Sequence, residues 1–260
     1  MEMQRRYQWA GFFLDIRLSK DKQLMMMHDL TLQRTTTGMG PLVEHEYFGD
    51  MDQLRTKVGD QPLSRLNDVL DFLVEPGLPE DLWMIIDIKF DNALEIMDLV
   101  HELVHSDAYK DKQELLQKRV VLGIWRQDFL AKTRELFGDA YKVCFIGLSV
   151  SGARKHFLGK VDYLSMAFPA LADADGLQFM RDAQAANQKV LSWTINTVEQ
   201  MHTCVVWGVD GIIGDHIDLM LEQVKADTQN HMPLKLRRTQ LYYYCIKKIM
   251  SVASYAYIGV

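Results

Sequence analysis

The chain has 260 residues, of which 48% are hydrophobic and 25% are charged, so it has the composition of a globular protein with a large core. Its net charge of -6 argues against a general nucleic-acid-binding protein. The three cysteines lie far apart in the sequence and form neither a disulfide framework nor a zinc motif. They favour a reducing compartment, and we therefore expect an intracellular protein.

Short apolar segments recur along the chain and predict the strands of a sheet. Amphipathic segments, such as residues 92–105, 173–188 and 197–208, lie between the later ones and predict helices. Apolar strands that alternate with helices are typical of a parallel sheet covered by helices. The predicted strands are residues 12–16, 24–27, 83–88, 120–125, 143–148, 163–168, 190–195 and 211–214.

The first two predicted strands are joined only by the sequence "RLSKDKQ". A parallel crossover needs about a dozen residues or more, so these two segments should be antiparallel. Without residues 24–27, seven parallel strands remain, whereas a closed (β/α)8 barrel has eight. We predict an α/β fold of the TIM-barrel type, in which the sheet either is open or lacks its first strand.

Polar side chains stand where several of these strands end. They include Asp15, His28, Asp87, Lys89 and Trp193, and the ends of barrel strands are where active-site residues usually lie. Two carboxylates, a lysine and a histidine at one edge have the chemistry to hold a hard divalent cation and a phosphate and to move a proton. Each residue alone also has a structural explanation, such as an ion pair, a turn or a core position.

The order of the motifs resembles that of the glycerophosphodiester phosphodiesterase family. The matching segments, over roughly residues 12 to 225, are "DIRLSKD", "HDLTLQRTTTGMG", "PLSRLNDVL", "DIKF", "SWTIN" and "GIIGD". "IIDIKF" and "RVVLGIW" resemble in particular the membrane-associated branch that cleaves phosphatidylglycerol in the manner of a phospholipase C. The resemblance implies a TIM barrel, a divalent cation such as Mg²⁺ or Ca²⁺, and a glycerophosphodiester or glycerophospholipid substrate.

The same resemblance implies roles for individual residues. His28 matches a histidine that acts as general acid or base, and it is our predicted catalytic residue. Asp15 matches the aspartate of a metal-binding Glu-x-Asp motif whose glutamate is Phe13 here, and Asp87 matches a later metal carboxylate. The predicted substrate-binding residues are Lys89 on the phosphate, Trp193 on the glycerol side and Arg34.

The chain also departs from the family pattern, because the His-Arg-Gly strand that carries the other catalytic histidine is absent from it. Loss of one acid–base group typically costs about 10²–10⁴-fold in rate. We therefore predict that this chain is inactive or nearly so. A truncated start, with a longer form as the working enzyme, and a genuine pseudoenzyme both explain this departure. The predicted function is metal-assisted hydrolysis of a glycerophosphodiester or of phosphatidylglycerol, and the alternative is a catalytically dead protein that binds lipid or acts as a scaffold at a membrane.

The segment from Leu234 to the end contains no acidic residue and mixes Lys and Arg with Leu, Ile and Tyr. This pattern is equally typical of a membrane-contacting helix and of a basic helix packed on the domain. We therefore predict a residual N-terminal segment at residues 1–11, a barrel at 12–228 and a tail at 229–260. The protein is then either cytoplasmic or peripheral on a membrane.

A competing motif, "HELVH", occupies residues 101 to 105. On a helix it places His101 and His105 one turn apart, where they can grip Zn²⁺ while Glu102 acts as a base. This helix is expected to lie away from the strand ends, and the sequence shows no clear third ligand. A zinc peptidase is therefore the least favoured interpretation.

Overall fold

A computed structural model describes residues 11–227 of the chain. These residues divide into two compact units, the first made of residues 11–124 and 128–142 and the second of residues 125–127 and 143–227. The predicted tail at 229–260 and nearly all of the predicted N-terminal segment lie outside the described residues. The predicted domain division therefore stays a prediction.

The sheet of the first unit has the strand order β2-β1-β3-β4. The strands are β1 (Gly11–Leu18), β2 (Leu24–Met26), β3 (Trp83–Ile88) and β4 (Val120–Ile124). β1 runs antiparallel to β2 and parallel to β3, and β3 runs parallel to β4. The short connection after β1 closes with a hydrogen bond of 3.0 Å from the Ser19 amide to the Gln23 carbonyl. The predicted antiparallel arm is thus confirmed.

The helices of the first unit are amphipathic segments packed on this sheet. The segment predicted at 92–105 is helical, but the helix begins only at Ile96, because Asn92 is used in a turn that closes on the Lys89 carbonyl. The apolar side chains of this helix, among them Met97 and Val100, are fully buried. The helices are α1 (Leu66–Leu73), α2 (Ile96–Val104), α3 (Gln113–Arg119) and α4 (Gln127–Phe137).

A long connection between β2 and α1 contains two short 3-10 helices, Leu42–Glu44 and Met51–Gln53. It has a hydrophobic cluster of its own, in which Leu32, Leu42 and Met51 are fully buried together with side chains from β2 and its continuation. Apolar burial of this kind holds an otherwise irregular segment in a fixed conformation. The connection that follows His28 is therefore a packed part of the unit.

The second unit alternates parallel strands and helices. Its strands are β5 (Lys142–Gly147), β6 (Tyr163–Ala167), β7 (Lys189–Trp193) and β8 (Gly211–Ile212), each parallel to the next. Its helices are α5 (Val150–His156), α6 (Phe168–Leu171), α7 (Ala174–Ala185), α8 (Val198–Trp207) and α9 (Ile217–Asp227). α8 starts with a capping box at Thr197 and is capped at its end by Gly208. The φ of Gly208 is 76°, in the left-handed region that favours glycine.

The predicted α/β class and the barrel-type alternation of strands and helices are confirmed. All eight predicted strands are present, with ends that shift by one or two residues. The prediction that a first strand is missing concerns the chain before Gly11, which lies outside the described residues. Between residues 11 and 227, no helix combines the length and apolar character that a membrane span needs.

Candidate functional site

Three charged side chains meet where β1 and β3 run side by side. Asp15 and Asp87 are register partners on these two parallel strands. The Lys89 ammonium donates to Asp15 Oδ1 at 2.6 Å and to Asp87 Oδ2 at 2.8 Å. Asp87 is 1% exposed and Lys89 is 8% exposed, so the cluster is largely desolvated. The structure thus brings together three of the predicted site residues.

The charge of Lys89 is maintained by its carboxylate partners. Burial disfavours the charged ammonium, but the attraction of Asp87 and Asp15 and their hydrogen bonds outweigh it, and the pKa of Lys89 is raised. Lys89 therefore remains a cation at neutral pH. One ammonium thus bridges two carboxylates on neighbouring strands.

A buried asparagine fixes the backbone around this cluster. Asn92 donates to the carbonyls of Ile16 at 3.1 Å and Lys89 at 2.9 Å, and it accepts from the Leu18 amide at 3.2 Å. It therefore joins β1 to the turn that carries Lys89. Sequence reasoning missed Asn92, because an asparagine just after a strand is an ordinary turn residue until its burial is known.

A second residue that sequence reasoning missed is Arg17, which positions the chain at His28. Its Nε donates to the His28 carbonyl at 2.9 Å, and its Nη1 pairs with Asp91. The amide of Met27 in turn donates to the Asp15 carbonyl at 3.0 Å. The backbone at His28 is thus held beside the strand that carries Asp15. The only signal in the sequence was the place of Arg17 in the "DIRL" motif.

The His28 imidazole is solvent-accessible, with 65% of its side chain exposed. Its Nδ1 lies 2.9 Å from Asp29 Oδ1, and Arg34 Nη2 donates to the same oxygen at 2.7 Å. The hydrogen bond from Arg34 has the largest effect on the pKa of the Asp29 carboxyl and holds it well below its usual range. Asp29 therefore stays ionised and orients both His28 and Arg34, while the His28 ring remains open to a reacting group.

The residues present do not fit a resident divalent cation in this arrangement. Mg²⁺ and Ca²⁺ need several oxygen ligands, but Lys89 occupies the position between the two carboxylates. Within residues 11–227, no group of three His, Cys, Asp or Glu side chains is placed to hold a metal. Asp15 and Asp87 as metal ligands stay a prediction, and that prediction requires Lys89 to leave them.

Trp193 lies in the second unit, at the end of β7. Its Nε1 donates to the Ser165 carbonyl at 3.0 Å, and its ring meets the edge of Trp125 at a centroid distance of 5.7 Å. In the same unit Asn196 and Asp215 hydrogen-bond each other twice, at 2.8 Å in both cases. The assignment of Trp193 to the substrate stays a prediction.

The "HELVH" motif forms an aromatic contact. The rings of His101 and His105 lie 4.2 Å apart, and both pack near Phe137. His105 Nδ1 is 2.9 Å from the carbonyl of His101, so this nitrogen donates to the backbone. The described part of the chain offers no third ligand here, and nothing in these contacts supports a zinc peptidase.

Comparison with protein families gives one match. The sequence model of the glycerophosphoryl diester phosphodiesterase family matches residues 14–219. These residues include Asp15, His28, Arg34, Asp87 and Lys89. A comparison with curated protein sequences finds no significant match.

Solved structures of phosphodiesterases resemble the chain at low sequence identity. A glycerophosphodiester phosphodiesterase from Parabacteroides distasonis has a TM-score of 0.67 and 17% identity, over 84% of this chain and 85% of that one. For a protein described as a glycerophosphodiester phosphodiesterase from Galdieria sulphuraria the values are 0.68 and 16%, over 86% and 87%. A phosphodiesterase from Oleispira antarctica, solved with the product sn-glycerol-3-phosphate, has 0.60 and 18%, over 84% and 85%. These likenesses establish the fold.

Proposed function

Since the chain belongs to the glycerophosphoryl diester phosphodiesterase family, we propose that it binds the phosphodiester of a glycerophosphodiester or glycerophospholipid beside Lys89 and His28 and hydrolyses it at most slowly. The observation that carries this proposal is the buried Asp15–Lys89–Asp87 cluster next to the backbone of an exposed histidine. In this role Lys89 meets the phosphate and Arg34 contacts the substrate from the adjoining loop.

His28 is the proposed proton carrier. Its ring is exposed and oriented by Asp29, which is the arrangement that general acid–base catalysis by an imidazole requires. Cleavage of a phosphodiester moves one proton from the attacking water and another to the leaving oxygen. The described residues place one imidazole beside the cluster, and one imidazole serves both steps less well than two groups would. This supports slow turnover.

The electrostatics of the cluster also support slow turnover. Lys89 is shared by two carboxylates, so its attraction for a phosphodiester anion is weaker than that of an unshared lysine. The same observation favours a second candidate function, in which the protein binds lipid or acts as a scaffold without hydrolysis.

Among lipid substrates we propose phosphatidylglycerol. The support is the resemblance of "IIDIKF" and "RVVLGIW" to the membrane-associated branch of the family that cleaves this lipid.

Turnover assays on the full chain test this proposal. Water-soluble glycerophosphodiesters and phosphatidylglycerol vesicles are supplied with Mg²⁺, with Ca²⁺ or with a chelator, and released glycerol phosphate or diacylglycerol is measured. We expect weak hydrolysis that His28→Ala removes. His45→Ala is the matched control, because His45 also pairs through Nδ1 with an aspartate, at 2.7 Å, on the same long connection.

The outcomes separate the two candidates. Robust turnover that depends on His28 would contradict slow hydrolysis and would mean that the active site is complete. Binding of glycerol phosphate without any hydrolysis would select the scaffold. Activity that His28→Ala leaves unchanged would exclude the proposed site.

A further inference from the structure

We propose that a lobe made of residues 30–43 and 53–59 docks on the surface of an anionic phospholipid bilayer. We call these two segments the docking lobe. This inference goes beyond the proposed function and does not depend on hydrolysis, because its readout is binding to vesicles. It also concerns a different part of the chain from the predicted tail.

The two segments form one structural unit. Thr31 bridges Pro41 within the first segment, and Thr36 bridges Thr56 across the two segments. The bridge between segments is extended by a hydrogen bond of 2.9 Å from the Lys57 amide to the Thr35 carbonyl. Side chains on these segments are therefore presented together on one small, hydrogen-bonded lobe.

The lobe exposes large apolar side chains, although it also buries others. Leu32 and Leu42 are fully buried in the cluster beneath it. In contrast, four large apolar side chains on the same two segments are more than half exposed: Leu30 at 57%, Met39 at 75%, Val43 at 59% and Val58 at 88%. Single exposed apolar residues are common, but four on one lobe mark an interaction surface.

Charge on the lobe identifies the kind of partner. The two segments contain three cationic residues and no acidic residue, in a chain whose net charge is -6. Arg34 pairs with Asp29 at the edge of the lobe, so Arg55 and Lys57 supply its positive charge. Arg55 donates to the Leu54 carbonyl at 2.9 Å, so its charge is not neutralised by that contact. The segment between them, residues 44–52, carries four acidic residues. Along the chain, the cations of the lobe are thus separated from these carboxylates.

Exposed apolar side chains on segments that carry cations and no carboxylate fit a bilayer surface with anionic lipids. The apolar groups enter the boundary between head groups and acyl chains, and each basic residue near the surface contributes roughly 1 kcal/mol of attraction to anionic lipid. Leu30 is two residues from His28, so docking brings lipid head groups to the candidate site.

Vesicle binding by the full chain tests the proposal. We expect binding to phosphatidylcholine vesicles that contain phosphatidylglycerol. Met39→Ser/Val58→Ser should weaken it by about a hundredfold, since 1.4 kcal/mol is tenfold and each of the two inserted side chains contributes on that scale. Val206→Ser/Leu221→Ser is the matched control, because these residues of the second unit are 61% and 51% exposed. Arg55→Gln should weaken binding by roughly fivefold, and only when the vesicles are anionic.

A fluorescent probe on the lobe distinguishes docking by the lobe from membrane binding by the tail. In a Cys245→Ser background, Met39→Cys is labelled with an environment-sensitive fluorophore; the other two cysteines, Cys144 and Cys204, are buried. A blue shift on adding anionic vesicles supports docking by the lobe. Binding with no shift at this position, or equal loss of binding in the lobe and control variants, would overturn the proposal.

Discussion

Asp15 and Asp87 stand opposite each other on adjacent parallel strands and share the ammonium of Lys89. The two carboxylates would repel each other without this cation, because both are withdrawn from water. Lys89 thus stabilises the place where the sequence predicted a metal ion. A divalent cation bound there, as the sequence predicts, would compete with Lys89 for the same two carboxylates.

The first prediction follows from this competition. Lys89→Met removes the ammonium, so Mg²⁺ or Ca²⁺ should bind Asp15 and Asp87 and raise the melting temperature of the variant, by about 2–4 °C for each kcal/mol of binding free energy. The native chain should change much less. Thermal unfolding with and without each ion measures this difference.

Two further variants control that experiment. Lys118→Met removes an exposed lysine of α3 and should not alter the response to ions. Lys89→Gln repeats the loss of charge with a polar side chain. If the native chain is stabilised by the ions as much as Lys89→Met, then Lys89 does not block the carboxylates, and the predicted metal site is supported.

The second prediction concerns Asn92, which serves three backbone groups. Asn92→Ala leaves the Leu18 amide and the Ile16 and Lys89 carbonyls without this partner in a buried setting. We expect a loss of about 2–3 kcal/mol in the free energy of unfolding, measured by urea denaturation. Asn67→Ala is the control, since the Asn67 side chain bonds only an exposed neighbour at 3.1 Å. Equal losses in both variants would contradict the bridging role.

The third prediction is a pH dependence of stability from His101. Partial burial, followed by repulsion from His105, lowers the pKa of His101 below its ordinary value. The folded chain therefore binds fewer protons than the unfolded chain as the pH falls. The stabilisation is complete above the unfolded pKa of about 6.5 and is lost as the pH falls through the lowered folded value.

Urea unfolding at a series of pH values measures this effect. His101→Gln should reduce the loss of stability on acidification, and His105→Gln should reduce it less, because it removes the repulsion but not the burial. The neighbouring Asp98 and Glu102 oppose the shift and keep it moderate. If the free energy of unfolding of His101→Gln depends on pH as that of the native chain does, groups other than His101 determine the pH dependence.

The fourth prediction tests the packing of the second unit. A Cβ at Gly176, in the first turn of α7, would lie 2.5 Å from the backbone of Leu171, closer than a Cβ comes to a non-bonded heavy atom in folded proteins. Gly176→Ala should therefore cost about 1–3 kcal/mol of stability despite the better helix propensity of alanine. Gln178→Ala, on the exposed side of the same helix, should cost little. If Gly176→Ala leaves the free energy of unfolding unchanged, α6 and α7 can move apart to admit the extra methyl group.

Periodicity and chain length alone predicted most of the fold. Strands of continuous apolar residues and amphipathic helices are local patterns, and seven connecting residues are too few for a parallel crossover, so the antiparallel arm at 24–26 followed from the sequence. The start of α2 could not be predicted, because Asn92 is drawn out of the helical pattern by contacts with a distant strand.

For the candidate site, the sequence determined which residue types stand at the strand ends and which family they match. Only the tertiary structure decided that Asp15 and Asp87 share Lys89, that Arg17 and Asn92 hold the surrounding backbone, and that His28 stays open to solvent. The physical reason is that strand patterns are set by neighbours along the chain. Ion pairs and burial depend instead on residues that are distant in the sequence. Lys89 and Asp15, for example, are more than seventy positions apart, and only folding brings the ammonium to the carboxylate that it neutralises.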